Sequence, residues 1–241
     1  MHDPTRSPEF SPPNADPRTE PFEPELGSLS GSGLSAEQRE DVAKTGTTTV
    51  GVATEDGVVV GADMRASLGG RFVANKDVQK VEQIHPTAAL TMAGSVGGAQ
   101  SFIRTLRAES NLYEARRDEP MSMQALSTLA GNFLRGGPFF VVSPLLGGVD
   151  EAGSHVYSID PAGGVMRDDY SVTGSGMQLA YGVLDSEYEE GLSKEEAGRI
   201  TARAIDAAVE RDTASGDGIF LAEVTDEGVD IQGHKDFDEV L

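Results

Sequence analysis

Between residue 47 and the C-terminus, apolar positions follow first a strand spacing and then a helical one, twice over. Thr48–Thr54 (TTVGVAT) and Val58–Asp63 (VVVGAD) are rich in β-branched residues. The Glu55-Asp56-Gly57 stretch between them reads as a hairpin turn. Ala88–Ala93 is a further apolar run. The period then lengthens: Ala99, Phe102, Ile103 and Leu106 share one helical face, and Leu126, Leu129, Ala130, Phe133 and Leu134 share another. Gly136-Gly137-Pro138 closes this pair of helices. Strand patterns return at Phe139–Gly147, His155–Ile159 and Val165–Val172, with the turn Asp160-Pro161-Ala162-Gly163-Gly164 between the last two. Met177, Tyr181, Leu184 and Tyr188 predict a third helix. Ser193 and Glu196 form a capping box that opens a fourth, whose apolar face is Ala197, Ile200, Ala204 and Ala208. Strands at Ile219–Val224 and Gly228–Gln232 end the pattern. Each helical pair needs an apolar surface to cover, and two stacked sheets between two helical layers supply one for each.

Residues 1–46 follow neither period. They hold seven of the 12 prolines and the stretch Gly27-Ser28-Leu29-Ser30-Gly31-Ser32-Gly33. Their sparse apolar residues cannot offset the entropy of ordering, so disorder is expected here, with the folded domain confined to 47–241.

Composition narrows the function classes. Acids outnumber bases 40 to 19, for a net charge of −21, so nucleic acid is an unsuitable main ligand. No cysteine is present, which removes disulfides, thiolate metal sites and a cysteine nucleophile. The four histidines, at positions 2, 85, 155 and 234, are too scattered for a His-rich metal cluster. No apolar run approaches the roughly 18 residues of a membrane helix, and no secretory signal pattern is visible. A soluble, cytoplasmic protein is expected. Only five of the 19 bases are lysines. A surface rich in acids and poor in lysine suits a cytoplasm of very high salt, where screening shortens self-repulsion to about 3 Å.

The sharpest chemical feature is Lys44-Thr45-Gly46-Thr47-Thr48-Thr49-Val50-Gly51, where the leader ends in Gly46 and a strand begins at once with threonines. Cutting between Gly46 and Thr47 would give Thr47 a free α-amine beside its own hydroxyl, a nucleophile and base in one residue. An α-amine has a pKa of about 7.7–8.0, so near neutrality part of it is free to take the hydroxyl proton.

At this point the chain resembles the β subunits of archaeal 20S proteasomes, within the N-terminal-nucleophile hydrolases. The resemblance covers nearly all of 47–241. It is carried by the order and spacing of Thr47–Gly51, Gly61–Ala66, Val78–Val81, Thr91–Gly94, Ser158–Gly164, Thr173–Gly176, Tyr181–Leu184 and Arg211–Gly216. It implies an α+β fold, a four-layer αββα sandwich. It also implies threonine endopeptidase activity with no cofactor and no metal. Thr47 would be the nucleophile and, once freed, the base; Lys80 the cation beside it; Asp63 the partner of Lys80. The Gly94 N–H would take the oxyanion position. Ser175, Asp212 and Ser215 would orient the amine, and Arg65 matches the arginine that follows the site's acid. Met92, Ala66 and Ser67 would bind substrate, with Met92 as an apolar pocket floor favouring bulky apolar residues before the cut. Implied partners are proteasome α subunits and other β subunits in stacked heptameric rings, an ATP-dependent unfoldase ring, and unfolded polypeptides.

Taken singly, these residues have plainer readings. Asp63 and Arg65 read as strand-end ions, Lys80 as an exposed lysine, Gly94 as a turn glycine, Met92 as a core residue, Asp212 as a helix-terminal acid, and Ser175 and Ser215 as caps. Their joint order with the Gly46-Thr47 junction carries the functional reading. The loop between Asp63 and Lys80 is about one residue longer than the family pattern, which leaves Lys76 as the competing lysine. Two other functions remain open: a small-molecule amidase of the same nucleophile class, and a non-catalytic scaffold subunit. Loss of Thr47, Asp63 or Lys80 would mark the latter, and none is lost.

Overall fold

In the computed structural model, residues 46–137 and 141–241 are described. Apart from Gly46, the leader expected to be disordered lies outside them. Strand β1 (Thr48–Thr54) turns back through Glu55-Asp56 into β2 (Gly57–Asp63), with Thr54 opposite Gly57. A short hairpin, β3 (Ala66–Leu68) and β4 (Phe72–Asn75), leads to β5 (Val81–His85) and β6 (Ala88–Thr91). Helices α1 (Val96–Arg117) and α2 (Met123–Gly136) follow. Then come β7 (Leu145–Asp150), β8 (Gly153–Ile159), β9 (Val165–Asp168) and β10 (Tyr170–Gly174). Helices α3 (Met177–Glu187) and α4 (Lys194–Val209) precede β11 (Ile219–Val224) and β12 (Val229–His234).

The strands form two five-stranded antiparallel sheets, ordered β10-β1-β2-β11-β12 and β5-β6-β7-β8-β9. The two-residue period of the strands decides what each side chain covers. Val50, Val52 and Val59 face α3 and α4, where they meet Leu184, Ile200 and Ile205. Leu90, Leu146 and Tyr157 face α1 and α2, where they meet Phe102, Leu106 and Leu126. Their strand neighbours Val58, Val60, Ala89, Leu145 and Val156 point the other way and fill the space between the sheets. The result is the αββα sandwich. Cutting one fully buried leucine of these layers, such as Leu90, to alanine should cost about 2–5 kcal/mol. No helix among the described residues is long and apolar enough to cross a membrane.

Three expectations need correction. The run Phe139–Gly147 is not one strand: residues 138–140 lie outside the described set, Val142 makes only an isolated bridge to Gly94, and the ladder starts at Leu145 and continues to Asp150. Pro144, with no N–H to donate, stands at that break. The run Val165–Val172 is two strands in different sheets, since β9 pairs with β8 and β10 with β1; the crossing is at Asp169. On α3, Met177 is exposed, and the buried positions are Ala180 and Leu184, one turn apart.

Candidate active site

The β1–β2 hairpin sets the first contact. Because Thr49 lies opposite Ala62, the end of β2 returns to the start of β1 and Asp63 comes beside Thr47. Asp63 is fully buried, and both its oxygens are saturated. Oδ1 accepts the Thr47 hydroxyl at 2.6 Å, the Thr48 N–H at 3.0 Å and Lys80 Nζ at 2.7 Å. Oδ2 accepts the Arg65 and Gly216 N–H groups at 3.0 and 2.8 Å. Five donors onto one carboxylate offset the cost of burying it.

Lys80 stands just before β5, anchored where its carbonyl accepts the Met92 N–H at 2.9 Å. Its ammonium also donates to Thr47 Oγ1. Burial pushes the Lys80 pKa below the ordinary lysine value, against the opposing pull of Asp63. Lys76, by contrast, is 73% exposed and faces Asp217 at 3.6 Å.

A second group gathers behind the Thr47 backbone. Asp212 Oδ2 accepts the hydroxyls of Ser175 at 2.5 Å and Ser215 at 2.7 Å. Ser175 Oγ lies 3.5 Å from the Thr47 carbonyl oxygen, and Ser215 Oγ lies 2.8 Å from Thr48 Oγ1. Ser175 follows β10 and Asp212 follows α4, so an edge strand of the first sheet and the C-terminal end of a helix packed on that sheet converge here.

Sequence reasoning missed one member. Asp217 binds Arg65 Nε at 2.8 Å, while Arg65 Nη1 donates to the Thr213 carbonyl at 3.1 Å. Arg65 thereby ties the end of β2 to the loop that carries Asp212 and Ser215. Asp217 has φ of 67°, an unusual conformation for a non-glycine residue. Burial alone would raise its pKa; the hydrogen bond and charge of Arg65 outweigh that and hold it below the usual aspartate value. The signal was the turn Gly216-Asp217-Gly218, legible as a turn and not as a partner for Arg65.

Gly94 has φ of 111°, and a Cβ there would overlap the Val141 carbonyl oxygen. Its N–H makes no backbone hydrogen bond among the described residues, so it is available to an oxyanion. A cavity of about 480 Å³ opens beside Thr47, with Ala66, Ser67, Met92 and Gly94 in its walls. Ser67 Oγ is buried without a hydrogen-bond partner among the described residues. Met92 packs against the α1–α2 core and lines this cavity as well, so its two readings are not exclusive. A second cavity, of about 750 Å³, shares Gly46 and Gly94 with the first and includes Ser175 and Asp212. Among the described residues no group of three or more His, Asp or Glu side chains could hold a metal ion.

The arrangement offers a hydroxyl bonded to a carboxylate and a cation, a backbone N–H in the cavity wall, and room for a chain on either side. Comparison with known proteins gives the same direction. The family model described as proteasome subunit matches residues 43–224. "Proteasome subunit beta" of Natrialba magadii is 72% identical over 221 residues, 92% of this chain and 91% of that one. "Proteasome subunit beta 2" of Haloterrigena turkmenica is 71% identical over 96% of this chain and 97% of its own. "Proteasome subunit beta 1" of Haloarcula marismortui is 65% identical over the full length of both. The chain belongs to the proteasome subunit family, on the β side of it and in haloarchaeal company.

Proposed function

We propose that Thr47 is the nucleophile and that its own α-amine, freed by removal of residues 1–46, is the general base. As a proteasome β subunit the chain is a threonine-type endopeptidase. The observation that carries the assignment is the Thr47 hydroxyl bonded at 2.6 Å to Asp63 while the buried Lys80 donates to the same oxygen.

Oγ attacks the scissile carbonyl carbon and its proton passes to the amine. Negative charge on the carbonyl oxygen is met by the Gly94 N–H. The amine then gives the proton to the leaving nitrogen as the peptide bond breaks, leaving an acyl ester on Thr47. Water, deprotonated by the same amine, hydrolyses the ester. Lys80, whose ammonium donates to Oγ1, favours the developing alkoxide. Ser175, Asp212 and Ser215 orient the backbone that bears the amine. The leader would be removed by attack of Oγ on the Gly46 carbonyl carbon, with the Thr47 nitrogen, still an amide, as leaving group and not as base: the Gly46–Thr47 C–N bond breaks, the hydroxyl proton ends on that nitrogen, an ester forms, and water releases residues 1–46 with a Gly46 carboxylate.

The Met92 wall supports cleavage after bulky apolar residues. Leu68 and Phe72 on the β3–β4 hairpin, with Met166, Met177 and Leu179, are large apolar side chains exposed on the single chain, as expected of a subunit that meets neighbours. We place the chain in two stacked β heptamers between α heptamers, in the cytoplasm, fed with unfolded polypeptide by an ATP-dependent ring. The test is the intact mass of the chain from the assembled particle, before and after a hydroxyl-directed acylating inhibitor. A chain starting at Thr47 and gaining one adduct on that residue supports the reading. Another N-terminus, or an adduct elsewhere, overturns it.

A further inference from the structure

Three buried threonine hydroxyls lie behind the site and take no part in the chemistry described above. Thr49, on β1, and Thr91, on β6, are fully buried, and Thr173, on β10, is 8% exposed. Thr49 stands two residues after Thr47, Thr91 three residues before Gly94, and Thr173 two residues before Ser175. The layer between the sheets is otherwise apolar, filled by residues such as Val60, Ala89, Leu145 and Val156.

Each hydroxyl has one proton to give, and the contacts fix where it goes. Thr91 Oγ1 accepts the Leu145 N–H at 3.1 Å and donates to Thr49 Oγ1 at 3.2 Å; the Leu145 carbonyl, at 3.4 Å, is the more distant acceptor. Thr173 donates to the Ser143 carbonyl at 3.1 Å, so it accepts from Thr49, 2.7 Å away. The result is a one-way chain from the Leu145 N–H through Thr91, Thr49 and Thr173 to the Ser143 carbonyl. Every hydroxyl in it gives once and accepts once. The chain crosses from the second sheet to the first and returns on the other side of Pro144.

That crossing falls where the backbone ladder is interrupted. Strands β6 and β7 pair from Ala88 to Leu90, and pairing is regained only at the Gly94–Val142 bridge. Pro144 lies opposite the gap and has no N–H to donate. On either side of it, the Leu145 N–H and the Ser143 carbonyl go to the threonine hydroxyls. The Ser143 N–H still reaches the Ala93 carbonyl, at 2.9 Å. The hydroxyl chain thus ties the stretch leading to Gly94, and the segment bridged to it, to the strand that begins behind Thr47.

We propose that Thr49, Thr91 and Thr173 are positioning residues whose hydroxyl chain fixes the Gly94 N–H relative to Thr47 Oγ, and with it how well the oxyanion is met as it forms. The proposal rests on the reading of Thr47 as nucleophile. Three valines would fill nearly the same space, but apolar packing is non-directional, whereas hydrogen bonds have preferred lengths and angles. Oxyanion contacts are made in the transition state, so displacing the N–H should slow turnover and spare substrate binding.

The test uses the whole particle, assembled with its α partner in molar salt and matured to a chain that begins at Thr47. Thr91→Val removes the hydroxyl and keeps the shape, Thr91→Ser returns the hydroxyl, and Val156→Ala loosens the same layer without removing one. The readouts are kcat and KM for a fluorogenic peptide with leucine before the cut, and inhibition by a peptide aldehyde against the same peptide as an amide. The aldehyde adduct on Thr47 carries a tetrahedral oxygen; the amide competes for the ground state alone. We expect Thr91→Val to lower kcat at least tenfold with KM within twofold, and to weaken the aldehyde by a similar factor without weakening the amide. Thr91→Ser should recover kcat to within threefold of wild type, and Val156→Ala should keep kcat and the aldehyde-to-amide ratio within twofold. An unchanged kcat in Thr91→Val, a loss that Val156→Ala reproduces, or aldehyde and amide weakened alike overturns the proposal and leaves the Thr47 reading standing. If Thr91→Val does not assemble, Thr173→Val, at the far end of the chain, is read by the same criteria. A wild-type particle that cleaves nothing, or whose aldehyde adduct is not on Thr47, overturns the Thr47 reading and this proposal with it.

Discussion

Asp63 Oδ1 accepts hydrogen bonds from both Thr47, at 2.6 Å, and Lys80, at 2.7 Å. One carboxylate oxygen therefore fixes the nucleophile and the cation relative to each other, and the ammonium needs no further anchor to stay at the hydroxyl. Lys80→Ala should remove the cation, leave Asp63 as a buried carboxylate short of one donor, and lower kcat by about a hundredfold or more. Lys76→Ala should change kcat by no more than about twofold, since an exposed pair is worth little. Peptidase rates of both variants, with particle mass checked in parallel, decide it. Equal losses would mean that the longer loop has been assigned the wrong lysine.

Gly46 is half-buried but closely confined on the side a side chain would occupy. A Cβ at that position would overlap Ser175 Oγ and Ala214 Cβ. Gly46→Ala should therefore displace the carbonyl that Thr47 must attack, and slow leader removal by about a hundredfold, the scale expected for a misplacement near 1 Å. Thr47→Ala should retain the leader entirely and keep the fold. Intact-mass time courses read both. Normal processing in Thr47→Ala, expressed without any wild-type copy, would rule out self-cleavage.

The Arg65–Asp217 pair should matter for acid tolerance as well as for geometry. Asp217 has its pKa lowered in the folded chain. Its contribution to stability is thus complete above the ordinary aspartate pKa of 3.8 and is lost as pH falls through the lower folded value. Asp217→Asn should cost about 1.5–3 kcal/mol at neutral pH, the range for a hydrogen bond to a charged group. It should also flatten the acid limb of the stability curve, because the stabilising group no longer titrates. Denaturant titrations at pH 7 and near pH 3 test this; parallel acid limbs for wild type and variant would dismiss the pair as a source of stability.

These residues show what the sequence makes visible and what it hides. The near-continuous apolar run Val58–Asp63 and the helical spacing of Ala99, Phe102, Ile103 and Leu106 report burial directly, because both patterns follow from which positions leave water. The Ser193–Glu196 box was legible because a cap is local; both of its hydrogen bonds are present. The β9–β10 break was not, since strand-forming residues stand on both sides of Arg167-Asp168-Asp169 while the chain passes from one sheet to the other. At the site, Thr47 and Asp63 follow from a hairpin, whereas Ser175, Asp212 and Asp217 are joined to them only by tertiary folding. The resemblance supplied Ser175 and Asp212; nothing in the spacing pointed to Asp217.

The last prediction concerns salt. Residues 47–241 carry a net charge of −16. Fourteen such chains in two stacked rings would gather on the order of two hundred excess negative charges. At ~0.1 M ionic strength the Debye length is about 10 Å, long enough for neighbouring subunits to repel across their contacts; at 1 M it is about 3 Å, and the same contacts become tolerable. Salts whose ions are excluded from the surface also strengthen burial of exposed apolar groups such as Leu68 and Phe72. The single chain feels the same repulsion, but its apolar layers on both faces of each sheet oppose it. Dilution from molar salt should therefore dissociate the rings before the subunits unfold. Light scattering should fall first, peptidase activity should fall with it, and far-ultraviolet circular dichroism should change only at lower salt. Magnesium at millimolar levels should shift all three transitions to lower sodium or potassium concentration, because divalent cations neutralise clustered carboxylates more effectively. An intact, active particle that persists for days at 0.1 M monovalent salt without divalent cations would show that the acidic surface is not what sets the assembly threshold. It would leave the Thr47 chemistry untouched, since that depends on Asp63, Lys80 and the groups around Asp212 and not on net charge.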